Sequence, residues 1–198
     1  MKTKDPHDPE TAGTRERIVR TASRLMQRQG YEGTGIKQIS VEAGATLGSV
    51  YHFFPGGKQE LGTAAVRLGD EEFAEILAEA LDAEPDPAEA LLALTASLAD
   101  GLRASDWLDG CPVTSTVVGT AHSAPGVQTA AAEAFARWRA VVARRLLAAG
   151  YPETDAEELA HTVIATLEGA ELAAQVARST TPLDTAGRHL ARLLASYR

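Results

Sequence analysis

Apolar residues recur along this chain at spacings of three and four and never alternate with polar ones over a strand's length. That periodicity predicts helices throughout. In TRERIVRTASRLMQRQG, from Thr14, the residues Ile18, Ala22, Leu25 and Met26 share one face, while Arg17, Arg20, Arg24 and Arg28 lie largely on others. The segment reads as an amphipathic helix stopped by Gly30. Thr34 is placed to cap a short second helix with Ile36, Ile39 and Ala43 inward and Gly44 at its end. ATLGSVYHFF then offers two turns from Thr46 or Leu47. Pro55 ends them, because the residue before a proline avoids helical geometry. Two short helices meeting across a turn at Gly44 outline a helix-turn-helix.

A long fourth helix follows from Lys58 or Gln59 to about Leu81, with Leu61, Ala65, Leu68, Phe73 and Leu77 on its apolar side. DAEPDP breaks the pattern. Further helices are predicted near 87–104, 112–120, 125–149, 155–178 and 183–197, each separated from the next by a stretch holding Gly or Pro. The expectation is an all-α chain of about nine helices. A flexible tail covers residues 1–13, a three-helix domain 14–57, and a second helical domain 58–198.

Composition narrows the classes. The chain has 198 residues, 44 % of them apolar, and a single cysteine, Cys111. A disulfide framework and a multi-cysteine zinc site are both excluded. No run of about 18 apolar residues marks a membrane span. No signal peptide pattern opens the chain, so a cytoplasmic protein is expected. The net charge of −8 is unevenly placed. Residues 1–60 carry nine Lys/Arg against seven Asp/Glu, and residues 61–198 ten against twenty. The N-terminal part can therefore meet a polyanion while the remainder is acidic.

PGGKQE, residues 55–60, fails as a nucleotide loop. Such a loop needs a glycine five residues before the Gly-Lys pair, a Ser or Thr after it, and a preceding strand. Here those positions are His52 and Gln59, and the preceding element is helical. No G-x-S-x-G or H-E-x-x-H motif occurs. Glu157 and His161, at i and i+4, read as a solvated pair, and neither a metal site nor a cofactor is expected. Within the predicted third helix, Val50 and Phe54 fall on one face and read as core. Thr46, Leu47, Gly48, Ser49 and His52 face outward. The pattern leaves Phe53 open.

Residues 14–61 resemble the DNA-binding domain of the TetR family of transcriptional regulators. The likeness is carried by the first-helix pattern, the Gly-Tyr turn, Thr34, the spacing of Ile39, Ala43 and Gly44, and Tyr-His-Phe-Phe before the proline and lysine. The extra residue in PGGK, Phe53, GCPV at Gly110 and LEGAELAAQVAR at Leu167 are similar to the LmrA/YxaF-like branch. Where that branch often carries a basic residue, this chain has Leu47.

The resemblance implies a homodimeric regulator, a repressor and not an enzyme, bound to palindromic double-stranded operator DNA and released by a small-molecule effector. Tyr51 and His52 look like the family's phosphate contacts. Thr34 and Lys37, at the start of the second helix, and Lys58, at the start of the fourth, add further ones. Ser49 can donate to a phosphate or a base, Gly48 permits close approach, and Leu47 can touch a thymine methyl. The last two helices are expected to pair with a second copy through Leu159, Val163, Leu167, Ala170, Ala174, Leu190 and Leu194, with Gly169 and Ala173 allowing close approach. Candidate effector-pocket residues are Phe73, Leu77, Leu98, Trp107, Val113, Val117, Phe135 and Trp138. Two other classes stay open: a thiol-based redox sensor using Cys111, and a small helical enzyme.

Overall fold

The computed structural model describes residues 13–120 and 122–197, which form nine α-helices and no strand. They are α1 (Thr14–Gly33), α2 (Ile36–Glu42), α3 (Leu47–Phe53), α4 (Gly57–Ala83), α5 (Pro87–Ala104), α6 (Pro112–Val117), α7 (Pro125–Ala148), α8 (Glu153–Ala177) and α9 (Thr181–Ala195). The expected tail falls, apart from Gly13, outside the described residues. The sixth helix stops at Val117, short of the expected 120. There the Thr120 hydroxyl and amide both turn back to the Val117 carbonyl, at 2.7 and 3.0 Å.

Two compact bodies emerge. One holds the chain up to Gly69 together with Pro112–Ala131, and the other holds Asp70–Cys111 and Ala132–Arg198. So α4 contributes to both, where the sequence pattern places a single boundary at residue 57. In the first body α1 packs against α2, α3 and α6. Ile18, Ala22, Met26, Ile39, Val50, Phe54 and Leu61 are buried, as their periodicity predicts.

In the second body α5, α8 and α9 pack on one another. The rest of α4 is held by α7. The Trp138 indole donates to the Asp70 carbonyl at 3.4 Å. The Arg145 guanidinium donates to the carbonyls of Leu81 at 2.8 Å and Glu84 at 2.9 Å. These are carbonyls that the end of a helix leaves without intrahelical partners, so one side chain closes α4. At the far end of α8, Gln175 donates to the Leu108 carbonyl at 3.2 Å, and Arg178 pairs with Asp106.

One expectation is overturned here. Leu159, Val163, Leu167, Ala170, Ala174, Leu190 and Leu194 are all buried inside the single chain. Ala170 and Ala174 belong to a core cluster with Leu102, Leu183 and Ala186. A second copy cannot reach them. The apolar stripes were identified correctly, but helical spacing does not say which neighbour covers them, and α5 and α9 of the same chain do. The face of α8 left outside carries Thr162, Ala165, Gly169, Leu172 and Val176. These recur at 3, 4, 3 and 4 residues, none is charged, and Val176 is 79 % exposed.

Two glycines test this packing. At Gly187 on α9 an added Cβ would collide with the Thr95 side chain of α5, whose Cβ would lie 3.2 Å away. The Thr95 hydroxyl is held by the Leu91 and Leu92 carbonyls, both at 3.0 Å, so it cannot turn aside freely. Gly187→Ala is expected to lower stability by about 1–3 kcal/mol in urea unfolding. Gly101, inside α5, has open space around it. Gly101→Ala should raise stability by roughly 0.5–1 kcal/mol.

Candidate nucleic-acid interface

The α2–α3 turn is fixed by backbone chemistry. Gly44 has φ +60°, which a glycine adopts without strain. Its amide donates to Val41 at 3.1 Å, and the Ala45 amide donates to Ser40 at 2.9 Å. This double closure is a Schellman motif, and it ends α2 sharply. Two residues on, the Thr46 side chain accepts the Ser49 amide at 3.0 Å and opens α3 as its N-cap. Val50 is fully buried and Phe54 is 1 % exposed. Arg15 lies over the Phe54 ring at 5.3 Å.

With Val50 and Phe54 pinned inward, helical geometry sends Leu47, Gly48, Tyr51 and His52 outward. All four are exposed, as are Thr46 and Lys37, and Ser49 is half-exposed. Tyr51 is 49 % exposed and Leu47 44 %. His52 meets the half-buried Phe53 edge-on at 5.1 Å. No Asp or Glu occurs from residue 43 to 59, so nothing on this surface repels a phosphate. On α2, Glu42 is turned back to Arg24 at 2.8 Å. Its acid lies below the usual range, first because Gln38 donates to it and then because of Arg24.

Two expected phosphate contacts are placed elsewhere. Thr34 is completely buried and caps the end of α1, while Gly35 precedes α2. Its hydroxyl donates to the Gly30 carbonyl at 2.8 Å. Gly30, at φ +73°, breaks α1 there and frees that carbonyl. The Lys58 ammonium lies 4.4 Å over the Tyr31 ring and 3.8 Å from the Glu32 carboxylate. It fastens α4 to the end of α1 instead of projecting outward.

Charge sorts with the bodies. The one bearing α3 holds ten Lys/Arg against seven Asp/Glu, and the other nine against twenty. The sequence pattern by itself had drawn that contrast less sharply.

The expected effector-pocket residues separate into three groups. Phe73, Phe135 and Trp138 come together where α4 meets α7. Phe73 stands edge-on to Trp138 at 4.6 Å, and Phe135 is tilted on it at 5.0 Å. Leu77 is buried one turn beyond Phe73. Leu98 and Trp107 instead pack on the α5–α8–α9 cluster. Val113 and Val117 sit on α6, in the first body. Cys111 is buried. Glu157 and His161 line an open groove of roughly 390 Å³ between α7 and α8, beside Arg139 and Arg144. Among the described residues no three His, Cys, Asp or Glu side chains cluster to hold a metal ion. No described helix is long and apolar enough to cross a membrane.

Two buried acids escaped the sequence reading. Asp70 is 3 % exposed and Glu171 8 %. Burial raises the carboxyl of each, with Arg137 partly opposing this at Asp70. At Glu171 burial, aided by Glu168, carries it to about 8. Both were visible as polar residues on apolar stripes: Val66, Asp70, Phe73 and Leu77 on α4, and Leu167, Glu171 and Ala174 on α8.

Comparison with known proteins finds relatives along most of the chain. Residues 18–65 match the family model of bacterial regulatory proteins of the tetR family, and residues 87–189 match the C-terminal domain of LmrA/YxaF-like transcriptional regulators. The chain is 35 % identical over 170 residues to the HTH-type transcriptional regulator YxaF of Bacillus subtilis, covering 86 % of this chain and 89 % of that protein. It is 36 % identical over 170 residues to the HTH-type regulator LmrA of the same organism, covering 86 % and 90 %. A TetR regulator structure from Chloroflexus aurantiacus superposes with a TM-score of 0.77 at 31 % identity, covering 92 % of this chain and 94 % of that one.

The buried acid on α8 gives a pH signature. Its folded pKa lies above its ordinary value of 4.5, so the folded state holds the proton more tightly than the unfolded state. Its contribution to stability is complete below about 4.5 and is lost as pH rises to about 8. Glu171→Gln should match the parent protein in urea unfolding at pH 4.5. At pH 8.5 it should exceed the parent, by on the order of 1–3 kcal/mol. Parallel pH curves for the two proteins would contradict the assignment.

Proposed function

Because the chain belongs to the TetR family of DNA-binding transcriptional regulators, in its LmrA/YxaF-like branch, we propose that it is a cytoplasmic repressor that a small-molecule effector releases from a palindromic operator. It performs no catalysis. The observation that carries this reading is α3: a helix anchored by Val50 and Phe54, exposing Thr46, Leu47, Gly48, Tyr51 and His52 on a surface without acids. Its N-terminal turn is placed to enter the major groove. Tyr51 and His52 supply phosphate donors, Ser49 a hydroxyl for a phosphate or base, and Lys37 a charge from α2. Leu47 offers an apolar contact to a thymine methyl. Phosphate contacts of this kind set the register, and base edges set the sequence preference.

Operator half-sites require two copies. The surface suited to a second copy is the uncharged face of α8, from Thr162 through Ala165, Gly169 and Leu172 to Val176. The functional partition follows the family: a DNA-reading head over 14–57 and a sensing and pairing part over 58–198. The helix α4 joins them, since residues 57–69 pack with the head and 70–83 with the other body. An effector that binds better to the arrangement unable to hold DNA shifts the population toward it. Phe73, Phe135 and Trp138 are the aromatic group placed to sense it.

Four measurements test this reading. Binding to the DNA upstream of its own gene should weaken steeply with salt, because several phosphates are neutralised. A flat salt response would sink the contact set. Tyr51→Phe should weaken binding about 3- to 10-fold across sequences, the worth of one lost hydrogen bond, with unfolding unchanged. Leu172→Glu should give monomers in sedimentation and lose operator binding while remaining folded. A dimer that survives this change places the interface elsewhere. Thiol alkylation that abolished operator binding would favour the redox alternative at Cys111.

A further inference from the structure

Among the described residues of the body that holds α5, α8 and α9, one buried side-chain oxygen makes no hydrogen bond. It is Oδ1 of Asp70, on a side chain 4 % exposed. A buried carboxylate oxygen left open costs about 1–3 kcal/mol, so its retention calls for a reason. The other oxygen, Oδ2, lies 3.3 Å from Nε of Arg137, its ion-pair partner across α4 and α7. That arginine is 55 % exposed. It therefore meets the acid with one edge while much of the guanidinium stays in water. Withdrawing it into solvent leaves the desolvated carboxylate uncompensated, so another cation able to take its place is favoured there.

The surroundings complete the character of the site. Phe73 lies three residues beyond Asp70 on α4 and meets Trp138 of α7 edge-on at 4.6 Å, with Phe135 tilted on the Trp138 ring at 5.0 Å. Glu71 and Glu133 are close enough to act electrostatically on Asp70. A carboxylate with acidic neighbours attracts a cation, and aromatic rings accept its apolar body and its charge. Arg137 occupies the cation's place in the absence of a ligand.

We infer that Asp70 is the anchor of a binding site for an organic cation, an aryl-alkyl ammonium, which displaces Arg137 from the carboxylate and lays its ring against the half-buried Phe135. The ammonium has up to three N–H donors, so it satisfies Oδ1 as well as Oδ2. This rests on the reading of the second body as a sensor, and it names the chemical class sensed.

The test is calorimetric titration of the full chain with phenethylammonium chloride, with 2-phenylethanol as the neutral counterpart. The ammonium should bind saturably at one site per protomer, and the alcohol at least tenfold more weakly. Asp70→Asn should weaken the ammonium at least tenfold. Arg137→Ala should tighten it at least threefold by removing the internal competitor. That sign separates the proposal from a purely structural ion pair, whose loss would leave affinity unchanged or lower it. Absence of saturable binding, equal binding of the alcohol, or unchanged or weaker binding by Arg137→Ala would overturn the site. Should Asp70→Asn fail to fold, the Arg137→Ala comparison still decides. Operator release is read separately by fluorescence anisotropy. Binding without release leaves the site standing and removes its regulatory role, whereas release by other compounds with no ammonium binding does the reverse.

Discussion

The burial of Val50 and Phe54 is the constraint on which the reading surface depends. They lie four residues apart, Val50 within a helix only seven residues long and Phe54 at its C-cap, so fixing them fixes its rotation. The helix has too few residues to be stable alone. Its existence is owed to the Thr46 cap, the Schellman turn at Gly44 and these two anchors in the core of the first body. Everything proposed for Leu47, Tyr51 and His52 follows from that rotation, because those positions can only point outward once Val50 and Phe54 point in.

The second body is organised around α4 and α7. Arg145 closes the end of α4, Trp138 holds its middle through the Asp70 carbonyl, and Arg137 reaches the Asp70 side chain. All three grips come from one helix. The Arg137–Asp70 pair grips α4 at Asp70, beside Gly69, where the part packed in the first body ends. The same helix is a packing element in one body and in the other.

Most of the fold was legible in the sequence. The number, order and approximate limits of the helices follow from apolar periodicity and from Gly and Pro punctuation. The reading helix was legible too, since the spacing of Val50 and Phe54 specifies its inner face. The neighbour that covers each apolar stripe was not. Leu159, Val163, Leu167 and Ala174 announce a buried stripe, yet the partner that buries it is α5 and α9 of the same chain. The outward stripe of Thr162, Ala165, Gly169, Leu172 and Val176 is made of small and modest side chains that resemble an ordinary alanine-rich surface. Thr34 and Lys58 misled for a similar reason. A threonine near a helix start and a lysine near a turn suit a phosphate, but their partners are Gly30, Tyr31 and Glu32, brought near by the kink in α1.

The sequence by itself determined the all-helical class, the register of each helix face and the family, because these rest on local periodicity and on short motifs. The tertiary structure alone decided which apolar face meets which neighbour, where Thr34 and Lys58 turn, and that Asp70 carries a buried open oxygen. Each of those depends on residues far apart in the chain, and helical spacing holds no information about what stands across the gap.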